Sequence, residues 1–320
     1  MGKFAANLAV LAVLAATAAD PALAARYKAS KISFQDITGA VTVTTTGGED
    51  VELTITQGKV YRPLTVKLEG DELIIAGEAP TEPYYRDCCN ERIRRDESLA
   101  RDRQAAAARP EPSPDALFAD YPVIQIAMPR KNDIAFTDAR IKLKLGALDG
   151  RLMLDACYVY GETESLGAAT IGVIAGSRLA IGDVKSMLEL DISGDAEVVG
   201  GSAAMIDIDI AGPGTATIGA VDGMADISIA GSGVARTGRI DGPLTVRIAG
   251  SGVAIAQGGR IDKFTATIDG SGEAVVEGTA VNPEVRLYGS SIVRFGAVEG
   301  RLVRHGMGEV YVGGQLAPRR

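Results

Sequence analysis

Tryptophan is absent from this 320-residue chain, aromatic residues make up only 5% of it, and histidine occurs once. So few rings exclude a broad aromatic-centred core, and small aliphatic side chains have to fill a narrow interior. The lone histidine, His305, leaves no His pair for a zinc site, so no metal is read from the sequence by that route. No stretch reaches the roughly 18 apolar residues that a transmembrane helix needs, so no transmembrane segment is expected. Positive charge is also short. The 33 Lys and Arg against 41 Asp and Glu leave a net charge of −8, a surface that phosphates repel, so nucleic acid is excluded as a partner. No nucleophile motif, Cys-His pair or phosphate-cradling loop stands out.

The chain opens with Lys3, an apolar run from Leu8 to Ala19 and the small residues of Ala22-Leu23-Ala24. Residues 1–24 therefore read as a secretory signal peptide, which makes the protein exported, to the periplasm or the outer surface of a bacterium. Export permits disulfides. The chain has three cysteines, and a bond between the adjacent Cys88 and Cys89 closes a strained ring, so Cys88 or Cys89 with Cys157 is the expected bridge.

Beyond the leader the chain has three textures. Residues 25–79 form an opening β block, with half-buried strands such as Val51-Glu52-Leu53-Thr54-Ile55 and a hairpin that turns at Gly70-Asp71. Residues 80–120 are charged and Ala-rich and close on Pro110, Pro112 and Pro114, which reads as a helical, Pro-rich insertion, either a solvated face or a partner-docking arm. Residues 121–315 return to β texture and settle into a repeat.

The repeat is a Gly-x-Gly beat. Its full copies are Gly212-Pro213-Gly214, Gly231-Ser232-Gly233, Gly250-Ser251-Gly252 and Gly270-Ser271-Gly272, whose first glycines lie 19, 19 and 20 residues apart. Weaker copies begin at Gly194 and Gly289. A fixed period of this size means stacked structural units. Aligned on the first glycine, the positions two and four before it hold Ile192, Ile210, Ile229, Ile248 and Leu190, Ile208, Ile227, Val246, while the positions between are nearly all polar. Period two with one dry face is a strand. Later in each period comes a second turn signal, as in Val221-Asp222-Gly223 and Ile240-Asp241-Gly242, whose apolar residue is expected to point inward while the Asp-Gly turns out. Each period is thus a long strand, a glycine corner, a short strand and a second corner, which is one coil of an all-β, parallel β-helix, expected to be right-handed. Glycine suits corners that need a positive φ or a close backbone approach. Open ends of such a solenoid expose strand edges, and end-to-end self-association is expected where little covers them.

The Ile-x-Ile-x-Gly-Ser-Gly coils, preceded by Asp50-Val51-Glu52-Leu53 and Asp71-Glu72-Leu73-Ile74, resemble the auto-transporter adhesin head GIN domain family over most of residues 32–312. The resemblance implies an exported, envelope-associated β-helix with no established catalytic residues.

One polar column holds Glu189, Asp207 and Asp226 and the next holds Asp191 and Asp209. Stacked like charges repel by around 1 kcal/mol in water, so this face is either a solvated acidic surface or a cation site, for which calcium is the candidate. The expected function is a non-enzymatic, structural or adhesin-like binding module, with one face of the β-helix contacting an envelope glycan or protein. The alternative is a polysaccharide lyase or hydrolase on the same scaffold, with Asp226 beside Arg247.

Overall fold

The computed structural model describes residues 23–60, 63–77, 113–174 and 176–318. They form a parallel β-solenoid of about nine turns with coils of about 19 residues. The expected leader 1–24 lies outside the described residues except for its last two, which begin the strand Leu23–Tyr27. Of the expected insertion 80–120, residues 80–112 lie outside them too. Its described part holds the short helix Pro114–Phe118, capped by the Ser113 hydroxyl oxygen, which accepts from the Ala116 amide at 3.3 Å. The buried Phe118 of this helix lies against Tyr121 and Tyr158.

The long strands stack in register along one side of the solenoid. Ala203–Gly212 pairs with Ala225–Gly231, that strand with Leu244–Gly250, and so on through Phe264–Gly270 and Glu284–Gly289. Short strands line a second side, among them Glu197–Gly200, Thr215–Ile218, Val234–Thr237 and Val253–Ala256. The sequence predicts two strands per coil; the structure adds a third side. There Ala203, Val221 and Ile240 form successive single-residue bridges, and Val221, Ile240 and Ile261 are all fully buried. A segment squeezed between two corners is too short to show strand periodicity, which is why it reads as a turn from sequence alone.

The apolar columns are the core. Leu190, Ile192, Ile208, Ile210, Ile227, Ile229, Val246 and Ile248 are each no more than 2% exposed. Burying one such side chain contributes roughly 1.5–3 kcal/mol, so the stacked columns dominate the cohesion between coils. Volume is balanced locally: where Phe264 projects inward, its neighbour in the strand is Ala266, and Phe264 meets Phe295 edge-on with centroids 5.1 Å apart.

The two glycines of each beat serve different ends. The first adopts a left-handed backbone, with φ of 111° at Gly212, 124° at Gly231, 125° at Gly250 and 120° at Gly270. The second is required by packing. A Cβ on Gly214, Gly233 or Gly252 falls 2.5 Å from the Cγ2 of Ile192, Ile210 or Ile229 respectively, and one on Gly272 falls 2.6 Å from that of Ile248. Gly194 and Gly289, the weaker copies, also have positive φ, 80° and 75°.

The solenoid begins well before the glycine beat. Lys31–Gln35 and Thr38–Thr46 both pair in parallel with the 13-residue strand Asp133–Leu145, which bends around a corner at a register shift after Phe136. Here the left-handed corner residues are Asp36 (φ 53°) and Asp138 (φ 52°), a conformation that Asp tolerates better than most residues. Phe34 and Phe136 stack face to face at 4.5 Å beneath this corner. Outside these coils the pairing turns antiparallel. Leu23–Tyr27 pairs with Val51–Thr56, and Thr65–Glu69 with Glu72–Ala76, so the N-terminal end of the core is covered.

At the other end the chain folds back at Gly313 and Gly314, and Gln315–Leu316 pairs antiparallel with Glu309–Val312. On the first side the last strand, Val303–Gly306, places Arg304 in register with the buried Val285. The Arg304 Nη2 donates to the Gly308 carbonyl oxygen. A charged residue at the end of an inward column works against edge-to-edge stacking of two solenoids.

Candidate functional site

The outer face of the long-strand side carries the chemistry. Glu189, Asp207 and Asp226 are paired in succession across three coils, and Asp191 and Asp209 are paired in the adjacent column. All five sequence-predicted carboxylates therefore share one surface, with their strands at the roughly 4.8 Å sheet spacing. The acidic surface also extends toward the N-terminal coils, where Asp155 and Asp191 each pair with Gly172. Asp36 and Asp138 stand at the corner beyond. Sequence periodicity misses these because the register shifts at the corner and no glycine marks the coil; an Asp at a corner position is the one available signal.

Burial and crowding act together on this face. Burial, then Asp209, Asp226, Glu189 and Asp191, raise the Asp207 carboxyl above its ordinary range. Asp191 is raised by burial and then by Asp209 and Glu189. Asp155 and Asp36 are raised by burial and by Asp138. The cross-coil contacts are modest: the Thr170 hydroxyl donates to Glu189 Oε2 at 3.2 Å, and Asp226 pairs with Arg247 Nη1 at 2.6 Å. Asp226 and Arg247 thus satisfy each other across neighbouring coils, as cross-strand charge pairs commonly do. Among the described residues, no salt bridge reaches Glu189, Asp191, Asp207 or Asp209. His305 lies in the same polar column, in register with Arg286 near the C-terminal end.

Because Gly172 has no side chain, a shallow depression of about 650 Å³ opens between Asp155 and Asp191, with Met153, Thr170 and Ser193 at its margin. A Cβ on Gly172 would lie 3.7 Å from Asp155 Oδ1, which is ordinary contact. Among the described residues no group of three or more His, Cys, Asp or Glu side chains converges as metal ligands do. Cys157 is buried and disulfide-bonded. Cys88 and Cys89 lie outside the described residues.

The raised carboxyls predict a pH dependence of definite sign. A carboxyl with a raised folded-state pKa takes up its proton more readily in the folded chain than in the unfolded one. Stability therefore rises as pH falls from 7 toward the ordinary carboxylate value of about 4. Other carboxyls act in the opposite sense. Asp71 is lowered by the Ser30 hydroxyl, Glu72 by the Ser33 hydroxyl, Asp149 by Lys185 and Asp183 by the Ser202 amide. The stability these four contribute is lost once pH falls below about 4. Thermal melting followed by circular dichroism from pH 8 to pH 3 is expected to pass through a maximum near pH 4–6. In Asp207→Asn the rise from pH 7 toward pH 4 should shrink; a wild-type melting temperature that falls steadily from pH 7 to pH 4 contradicts the assignment.

No protein-family profile matches the chain, and no curated protein matches it. Solved structures do match at low similarity. One is a provisionally named adhesin from Parabacteroides merdae, 11% identical, covering 91% of this chain and 95% of its own, with a TM-score of 0.40. A second provisionally named adhesin, from Parabacteroides distasonis, is 14% identical over 91% of this chain and 97% of its own, with a TM-score of 0.35. A protein from the same organism named as lipid-binding is 12% identical over 91% and 96%, with a TM-score of 0.36. Scores this low assign neither a family nor a function, and the expected resemblance to the head GIN family is not confirmed by them. No helix among the described residues is long and apolar enough to cross a membrane.

Proposed function

We propose that this chain is a non-enzymatic binding module of the bacterial cell envelope, exported by its N-terminal leader, that presents the outer face of its long strands to an envelope glycan or protein. The observation that carries this reading is the continuity of that face. Five carboxylates stand in two registered columns on a rigid sheet, four of them without a salt bridge among the described residues, beside a depression that is open and shallow. Such a surface suits an extended partner contacted over several coils. An isolated small substrate is better held in an enclosed cleft that buries most of its surface. The Asp226–Arg247 pair, the best candidate for lyase or hydrolase chemistry, is a mutual ion pair between coils and supports the binding reading over the enzymatic one.

The test is co-sedimentation of the purified mature chain with envelopes isolated from its source cell. Wild-type protein is expected to pellet with them, and Asp191→Asn/Asp207→Asn/Asp209→Asn is expected to pellet at least about threefold less. A charge change on the second side, Arg236→Gln, should leave pelleting unchanged. Equal pelleting of the triple variant and the wild type excludes this face as the contact surface.

A further inference from the structure

Three of the chain's seven methionines stand side by side on the same outer face. Met187 is in register with Met205. Met205 precedes Ile206 and Met224 precedes Ala225, and Ile206 is in register with Ala225, so Met224 is the next member of the column. The column is bounded by Ala168 on one side and Pro243 on the other, the residues before the paired Ala169 and Leu244. It is therefore a run of thioethers in three consecutive coils at the roughly 4.8 Å strand spacing.

Packing gives no reason for methionine there. Met187 is half-buried, Met205 is 37% exposed and Met224 48% exposed, while the inward position next to Met205 and to Met224 is fully buried. Exposed outward positions elsewhere on this side are mostly polar or charged. The Met205 side chain also lies beside the next coil: its Cγ is 3.4 Å from where a Cβ on Gly223 would stand, an ordinary contact, although the atom such a Cβ would meet first is the Ala204 carbonyl oxygen at 2.8 Å. Two residues further along the same strands, on the same face, come Glu189, Asp207 and Asp226. A sheet places these carboxylates about 7 Å from the methionine column, where their field concentrates cations.

Thioether sulfur is a soft ligand that selects soft metal ions such as Cu(I) over hard ones. Methionine has three rotatable bonds, so side chains from adjacent coils can converge on one ion without backbone movement. We infer that Met187, Met205 and Met224 form a binding site for one soft monovalent metal ion, Cu(I) or its analogue Ag(I), with the neighbouring carboxylates drawing the cation in. The inference is independent of the partner contacted by the face as a whole.

The experiment uses the mature, disulfide-bonded protein treated with an alkylating agent to block any free thiol, so that cysteine cannot hold the metal. Cu(I) is titrated without oxygen against a chromophoric Cu(I) chelator, and Ag(I) is followed by calorimetry. Wild type is expected to compete for one equivalent of each ion. Met205→Leu should weaken binding at least tenfold, and Met187→Leu/Met205→Leu/Met224→Leu should abolish it. Met307→Leu, at an exposed methionine outside the column, should leave it unchanged. X-ray absorption at the copper edge should show sulfur neighbours in wild type. A triple variant that keeps its thermal melt and retains the metal overturns the inference, as does a wild type that holds no equivalent. Retention of Ca(II) as tight as that of Cu(I) overturns it as well, because it would place the ion on the carboxylates.

Discussion

Ile229→Ala is expected to destabilise the solenoid by about 2–5 kcal/mol, the cost of emptying a closely packed interior position. Ile229 is 1% exposed and stands in register with Ile210 before it and Ile248 after it. Removing its branched side chain leaves a void in the middle of the inner column, which the rigid coils on either side cannot collapse to fill. Solenoid stability is close to a sum of coil and interface terms. The loss should therefore appear as a broadened or divided urea transition, with the coils flanking residue 229 opening first in hydrogen exchange. An Ile229→Ala transition that overlays the wild type contradicts an inward position for this residue.

Gly250→Ala is the second large effect, expected at about 2–5 kcal/mol from two sources that add. The residue has φ of 125°, a conformation costing an L-residue of order 1–3 kcal/mol, and a Cβ there falls 2.5 Å from the Gly231 carbonyl oxygen, a backbone atom that cannot swing aside. Gly252→Ala should be costly for a different reason. Its Cβ would meet Ile229 Cγ2 at 2.5 Å, so part of its cost should vanish in an Ile229→Ala background, whereas the cost of Gly250→Ala should not. Gly172→Ala is the control, expected within about 1 kcal/mol of wild type, because its site is open. Chemical denaturation of the three glycine variants, Ile229→Ala and the two double variants checks the series; equal costs at 172 and 250 would show that the glycine beat is not a corner device.

The extent to which the chain discloses its fold depends on where its physics is local. Ile210, Ile229 and Ile248 fall in one column because each coil repeats both its length and its alternation, and the five carboxylates fall in line by the same arithmetic. The third side is legible only in part: Val221 and Ile240 are expected to point inward from a corner, and they do, but a single inward residue has no period, so the segment does not read as a side of its own. The N-terminal coils escape because their corners use Asp36 and Asp138 in place of glycine, and because Asp133–Leu145 turns its corner through a bulge. For the same reason Asp155 is found on the acidic face only when the coils are stacked. The methionine column is hidden differently: counted as a hydrophobe, methionine in a β pattern reads as core, and only its exposure separates Met205 and Met224 from the buried Met128.

All of this depends on one geometric claim, that Glu189, Asp207 and Asp226 belong to successive coils of a single in-register stack. The most direct test is a pulsed electron–electron distance between nitroxides at positions 189 and 284, attached through ketone-bearing unnatural residues so that the native cysteines stay untouched. Glu189 leads to Glu284 through Asp207, Asp226, Thr245 and Thr265 by successive registered pairs. Five coil steps at roughly 4.8 Å each predict a narrow distribution centred near 24 Å, broadened by the label arms. A mean distance beyond about 40 Å, or a broad distribution without a peak, would contradict the stacked coils and with them the acidic face.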